Sequence, residues 1–269
     1  MSTIGFVGGG NMAEAIVKGI IAAKLYAPND VFVSDVRAER LEFLSASYGA
    51  VAARSNAELA AKVDTLVLSI KPQNMTDALN SIKDSIGSGA LVISIAAGIK
   101  VAKIAAVLGD VAIVCVMPNT PALIGEGASA LFANKKAKPL LKKAMSIFTS
   151  VGKAVVVDNE DLIDAVTAVS GSGPAYYFLL MEEMIKSGVE LGLPETVAKD
   201  LVLQTARGAG MLAAAADANA ESPAQLRKKV TSPGGTTEAA IKVFAEGNMG
   251  KLISAAITRA RDRARELSK

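Results

Sequence analysis

The run Ile4-Gly5-Phe6-Val7-Gly8-Gly9-Gly10-Asn11-Met12-Ala13 constrains the fold more than any other stretch of this 269-residue chain. It sets a Gly-x-Gly-x-x-Ala spacing between a short apolar, strand-like segment (residues 3–8) and an amphipathic, helix-like one (residues 11–23). A strand that turns through glycine straight into a helix is the opening of a βαβ unit able to hold a dinucleotide. Gly8 would permit the tight turn, Gly10 would let a pyrophosphate approach the backbone, and Ala13 would let helix and strand pack closely. Gly9, Asn11 and Met12 complete the turn, whose amides at the helix start would face the phosphates. An ordinary glycine-rich turn gives the same spacing. What gives the motif weight is its place between strand and helix.

The rest of the first half repeats that alternation. Strand-like runs at residues 31–35, 65–70, 91–95 and 111–116 are separated by helix-like stretches at 37–47, 73–86 and 101–108. These runs are continuous in Val, Ile and Leu, as a parallel sheet covered on both faces requires. Strands at 128–132 and 154–157, around a helix at 138–149, would extend the sheet. From about residue 160 the strand signal stops, and helical patterns occupy 162–169, 175–191, 195–216, 224–230, 237–246 and 250–267, with Gly/Pro punctuation between them. The expected fold is α/β, an amino-terminal Rossmann-type doubly wound sheet over residues 1–160, followed by an all-α domain over 161–269.

Composition removes whole classes of chemistry. The chain has no histidine, so Ser-His-Asp catalysis, His-ligated zinc and imidazole proton shuttling are excluded. Its single cysteine, Cys115, rules out an internal disulfide or a Cys-x-x-Cys pair, and no metal site is expected. A net charge of +3 is too mild for a nucleic-acid binder, and the basic tail around Arg259 and Arg265 is interleaved with acids. No apolar run reaches membrane-spanning length, and no basic segment precedes the hydrophobic start. A cytoplasmic setting without nucleic-acid or membrane partners is expected.

Polar and glycine residues gather where strands should end. The second strand ends in Ser34-Asp35-Val36-Arg37: Asp35 could accept from a ribose 2′-hydroxyl, favouring NAD, while Ser34 and Arg37 could hold a 2′-phosphate, favouring NADP. The sequence leaves that choice open. Ser69-Ile70-Lys71-Pro72, Ser94-Ile95-Ala96-Ala97-Gly98 and Met117-Pro118-Asn119-Thr120 follow three further strands. Each suits a turn, but together they suit a shared crevice at the carboxyl edge. In the helical half, Thr231-Ser232-Pro233-Gly234-Gly235-Thr236-Thr237 leads into a helix. It reads either as an amide nest for an anion or as a plain cap by Thr236 or Thr237.

On these motifs, and on Ser170-Gly171-Ser172-Gly173-Pro174-Ala175-Tyr176, the chain resembles the pyrroline-5-carboxylate reductases nearly end to end. The resemblance implies hydride transfer from NADPH, with NADH possible, to the C=N bond of 1-pyrroline-5-carboxylate, giving L-proline. It implies that the all-α part, residues 161–269, is a dimerisation and substrate-binding domain, giving a homodimer or a larger assembly built from dimers. By motif, Gly8, Gly9, Gly10, Asn11, Met12, Ser34, Asp35, Arg37 and Asn56 would contact the cofactor. Ser69, Ile70, Lys71, Pro72, Ala96, Ala97, Gly98 and Asn119 would contact it further along. Ser232, Gly235, Thr236 and Thr237 would hold the substrate carboxylate, and the Thr237 hydroxyl would bond the ring nitrogen. Glu221 would either lie near that nitrogen or serve as an acid at a helix start.

Two alternatives are weighed against this. A β-hydroxyacid dehydrogenase shares the two-part plan but needs a lysine where this chain has Tyr177. A non-catalytic NADP-binding sensor would need no constellation like Ser232 to Thr237.

Overall fold

The computed structural model describes residues 2–267. The strand–helix alternation is β1 (Ile4–Val7), α1 (Asn11–Ala22), β2 (Val31–Ser34), α2 (Ala38–Tyr48), β3 (Val51–Ala52), α3 (Asn56–Lys62), β4 (Thr65–Leu68), α4 (Met75–Ile82), β5 (Leu91–Ser94) and α5 (Val101–Leu108). It continues with β6 (Ala112–Met117), β7 (Gly127–Ala133), α6 (Leu141–Thr149) and β8 (Gly152–Val156). The eight strands form one sheet in the order β3-β2-β1-β4-β5-β6-β7-β8. Strand order reverses at β1, with β2 on one side and β4 on the other, so the crevice for a ligand opens beyond the carboxyl end of β1.

The unbroken apolar strands are explained by two separate cores, one on each face. Ile4, Phe6, Val33 and Ile93 pack with Ile16 and Ile20 of α1 and Phe148 of α6. Val7, Leu66, Leu68 and Val92 pack on the other face with Leu59 of α3, Leu79 of α4 and Ile104 of α5. Each large side chain so buried stabilises the fold by roughly 1.5–3 kcal/mol.

Several expectations need correction. β3 and α3 were not expected: β3 has only two residues, too few for a pattern. The short α3 depends on Ser55, which accepts the Glu58 amide at its start. The sheet is not wholly parallel, because β7 runs antiparallel to β6. Only the 3₁₀ turn Thr120–Ile124 joins them, and a parallel crossover needs a longer connection. The glycine and proline cluster at 171–174 does not break the chain. After α7 (Leu162–Val166), a π-helical turn (Thr167–Gly171) leads into α8 (Gly173–Glu190), where Pro174 occupies the first turn that proline tolerates.

The remaining helices are α9 (Glu195–Asp217), α10 (Pro223–Lys229), α11 (Thr236–Glu246) and α12 (Met249–Leu267). The chain divides into two compact units. One comprises residues up to Pro174 and from Arg259, the other Ala175–Thr258. The first therefore extends past residue 160, because the segment leaving β8 is fastened to it. Val101 N–H donates to Glu160 at 2.6 Å, Lys100 pairs with Asp161 at 2.9 Å, and Asn119 donates to the Ser170 carbonyl at 3.0 Å. Within Ala175–Thr258 only Ala198 and Ala216 are buried among the described residues, while Phe178, Leu201, Met211 and Phe244 are exposed. Among the described residues, no helix is long and apolar enough to cross a membrane.

Candidate active site

Register brings the strand ends into one row. Val7 stands opposite Ser34 and Leu68, Leu68 opposite Ser94, and Ser94 opposite Cys115. The polar residues that follow these positions therefore share the carboxyl edge, as their sequence positions suggested.

At the centre, Gly8 has φ +97°, and a Cβ there would lie 2.7 Å from the Ser69 carbonyl oxygen. The turn is bound on both sides: Gly8 N–H donates to the Ser34 carbonyl at 2.7 Å, and the Ser69 hydroxyl donates to the Gly8 carbonyl at 2.6 Å. Gly10 caps α1 in an extended conformation with no side-chain hydrogen bond, and a Cβ on it would meet nothing within 4 Å. Open space over an uncapped helix start is what a diphosphate needs. Asn11 is exposed there, and Met12 is half-buried against the core.

At the end of β2, Asp35 is engaged by the protein itself. It accepts from Gly9 N–H at 2.7 Å, from Arg37 N–H at 2.9 Å and from the Arg37 guanidinium at 3.2 and 3.4 Å. Burial works to raise its carboxyl, but the Arg37 side chain and the two backbone donors outweigh it and hold it below the usual value. Arg37 is thereby fixed at the strand end while its side chain stays 52% exposed. Ser34 donates to Asn56 at 2.8 Å, and Asn56 in turn donates to Ser81. Past β4, Ser69 and Ile70 are half-buried, and Lys71 is exposed beside the 3₁₀ turn opened by Pro72.

The Ala96-Ala97-Gly98 turn after β5 is half-buried, with Gly98 at φ +74°. Glu160 holds the α5 start behind it and also accepts weakly from the Cys115 thiol at 3.7 Å. Burial and the nearby Glu160 charge push that thiol far up, so Cys115 is a neutral core side chain. Asn119, expected at the cofactor, is buried and uses both ends of its amide inside the protein: it donates to Ser170 and accepts from Ala128 N–H.

In the helical unit, α11 begins at Thr236 with Gly235 as its cap and no side-chain capping bond. Thr236 and Thr237 are first-turn residues, so the plain-cap reading of either one does not hold. Ser232 shapes the turn by accepting Gly235 N–H on its carbonyl at 3.0 Å, and Glu238 takes Gly234 N–H at 2.8 Å. Glu221 precedes the capping box of Ser222 and pairs with Lys229. Both line a cavity of about 360 Å³ with Leu212, Ala216, Asn219 and Leu226. Among the described residues, no three His, Cys, Asp or Glu side chains are grouped to hold a metal.

Comparison with known proteins identifies the arrangement. The family model described as "Pyrroline-5-carboxylate reductase dimerisation" matches residues 160–267, and "NADP oxidoreductase coenzyme F420-dependent" matches residues 3–98. The pyrroline-5-carboxylate reductase of Pseudomonas aeruginosa is 43% identical over 272 residues, covering 100% of this chain and 98% of that protein. The chain belongs to the pyrroline-5-carboxylate reductase family.

Solved reductases of the family share the fold. That of Coxiella burnetii superposes with a TM-score of 0.93 at 42% identity, covering 100% of this chain and 99% of its own. The Plasmodium falciparum structure with NADP bound gives 0.87 at 31%, covering 100% and 98%. Membership in this reductase family disfavours the β-hydroxyacid alternative, in keeping with Tyr177 at the position where that plan needs lysine. An NAD(P)-type cofactor fits the family and the uncapped α1 turn. Sequence reasoning missed Arg40, Glu14 and Tyr48, which meet beside Gly9. Arg40 and Gly9 are 31 positions apart, and no local spacing signals their contact.

Proposed function

We propose that the chain reduces the C=N bond of 1-pyrroline-5-carboxylate to give L-proline, with NADPH as its preferred hydride donor and NADH as a usable one. The observation that carries this reading is the relationship to known reductases across the whole chain, at up to 43% identity. When bound, the reduced nicotinamide supplies the hydride. Everything else is positioning, because a protonated cyclic imine is already electrophilic and requires no histidine to polarise it.

The amides from Gly8 to Met12 receive the diphosphate. Preference for NADPH follows from Asp35: its oxygens are engaged by Gly9 and Arg37, so the guanidinium of Arg37 is the group left to meet a 2′-phosphate, with Ser34 and Asn56 beside it. Ser69, Ile70, Lys71 and Pro72, with Ala96, Ala97 and Gly98, line the rest of the cofactor's course, while Asn119 braces the strands behind it. The amides of Thr236 and Thr237, with the Ser232 side chain, hold the substrate carboxylate at the positive end of α11, in a turn that Gly235 closes by donating its N–H to the Ser232 carbonyl. The Thr237 hydroxyl orients the ring nitrogen without adding positive charge beside an iminium, and Glu221 stands near it. The exposed apolar helix faces call for a second copy, giving a homodimer or an assembly of dimers. A cytoplasmic setting supplies the reduced cofactor.

The test is loss of reduced-nicotinamide absorbance when pyrroline-5-carboxylate is added with NADPH, with proline identified as product. Turnover supports the reading. Cofactor binding without turnover would favour a sensor.

A further inference from the structure

Gly9 is held at both ends by charge. Its N–H donates to Asp35 at 2.7 Å, and its carbonyl accepts from Arg40 Nε at 2.8 Å. The Arg40 guanidinium is itself braced: its second nitrogen donates to Glu14 at 2.8 Å, and the Glu14 carboxylate also accepts from the Tyr48 hydroxyl at 3.1 Å. Arg40 and Glu14 are largely shielded, their side chains being 18% and 22% exposed, and Arg40 also lies 5.0 Å from the Phe43 ring centroid. A tie between α1 and α2 needs only the Arg40–Glu14 pair. The additional bond to Gly9 has a different consequence. In a trans peptide the C=O and the following N–H point in opposite directions. Drawing the Gly9 carbonyl toward α2 therefore turns the Gly10 N–H the other way, away from α2. Gly9 is buried, and a Cβ there would lie 3.1 Å from Leu44, so a side chain at this position would press on Leu44.

We propose that Arg40, braced by Glu14 and Tyr48, is a cofactor-positioning residue that sets the Gly9–Gly10 peptide for diphosphate binding, whichever dinucleotide is bound. This rests on the cofactor reading above and deepens it: Arg37 discriminates between cofactors, whereas Arg40 acts on both alike. The test is calorimetric titration of the full-length protein and of Arg40→Met with NADP⁺, NAD⁺ and ADP-ribose, alongside steady-state kinetics. Arg40→Met should weaken all three ligands by about tenfold, while kcat at saturating cofactor and KM for the imine stay within about twofold. Arg40→Lys, which can reach Gly9 or Glu14 but not both, should fall between Arg40→Met and the unaltered chain. If Arg40→Met does not fold, Glu14→Gln serves in its place, with a smaller weakening shared by all three ligands. Unchanged affinities, weakening confined to NADP⁺, or a fall in kcat of the same size would overturn the proposal alone. An unaltered chain that binds no dinucleotide would overturn the cofactor reading and this proposal with it.

Discussion

Two glycines two residues apart should respond to alanine in opposite ways. At Gly8 the backbone has φ +97°, and the added methyl would lie 2.7 Å from the Ser69 carbonyl oxygen and 2.9 Å from Ile70. A non-glycine residue in such a conformation costs about 1–3 kcal/mol. The carbonyl cannot simply retreat, because Ser69 N–H and its hydroxyl are bonded to the Val7 carbonyl. The expected total for Gly8→Ala is about 2–4 kcal/mol of stability, together with at least about tenfold weaker dinucleotide binding as the turn is displaced. At Gly10 the backbone has φ −69° and the methyl meets nothing within 4 Å. Gly10→Ala should therefore leave stability unchanged or raise it by about 0.4–1 kcal/mol, while a methyl in the phosphate approach weakens binding by a similar tenfold. The chain has no tryptophan, so urea unfolding is followed by circular dichroism and binding by NADPH fluorescence. Equal stability losses at the two positions would refute the account of the turn. So would NADPH binding untouched by Gly10→Ala.

Arg37→Ala should raise KM for NADPH by at least about tenfold and leave KM for NADH nearly unchanged; equal shifts would remove Arg37 from the 2′-phosphate. Thr237→Ala should lower kcat by at least about tenfold with the fold retained, since it removes an orienting hydroxyl from the first turn of α11. Unaltered kcat and KM would place the ring nitrogen elsewhere. Because the helical unit buries so little of its own apolar surface, melting temperature should rise with protein concentration, checked by calorimetry over a wide dilution series. A concentration-independent transition, with a monomer seen by sedimentation, would refute the need for a second copy.

The nucleotide unit was legible because its signals are local. Gly8, Gly10 and Ala13 lie within one turn of chain, and the Val/Ile/Leu runs mark strands covered on both faces. β3 and α3 escaped because two residues and seven residues carry no periodicity to read. The antiparallel β7 escaped because direction depends on the connecting turn and not on the strand's own composition. Asp35 was legible as a residue at the strand end, but its partners were not: only the structure brings Gly9 and Arg37 onto its two oxygens, the contact on which the proposed preference for NADPH rests. Arg40 and Glu160 act on glycine turns and helix starts distant in sequence, and contacts of that kind leave no spacing pattern.

A reductase without histidine also has to obtain a proton by other means, and the proposed site suggests how little it needs one from itself. If the imine enters protonated, hydride addition yields the neutral secondary amine of proline directly, and the enzyme supplies no proton to the ring. Thr237 would then serve orientation, and the positive end of α11 would hold the carboxylate carried by the carbon next to the ring nitrogen. Glu221, already paired with Lys229, is balanced within the helical unit, so it adds little net negative charge near the ring. Asp35, the carboxylate at the cofactor end, is held below its usual value by the Arg37 side chain and backbone donors against the effect of burial. Rate on this plan comes from holding two reactants in contact distance and excluding water, which is worth up to about 7–11 kcal/mol when alignment is good. On this proposal the chain's polar groups serve to fix glycine turns, and the proton arrives with the substrate.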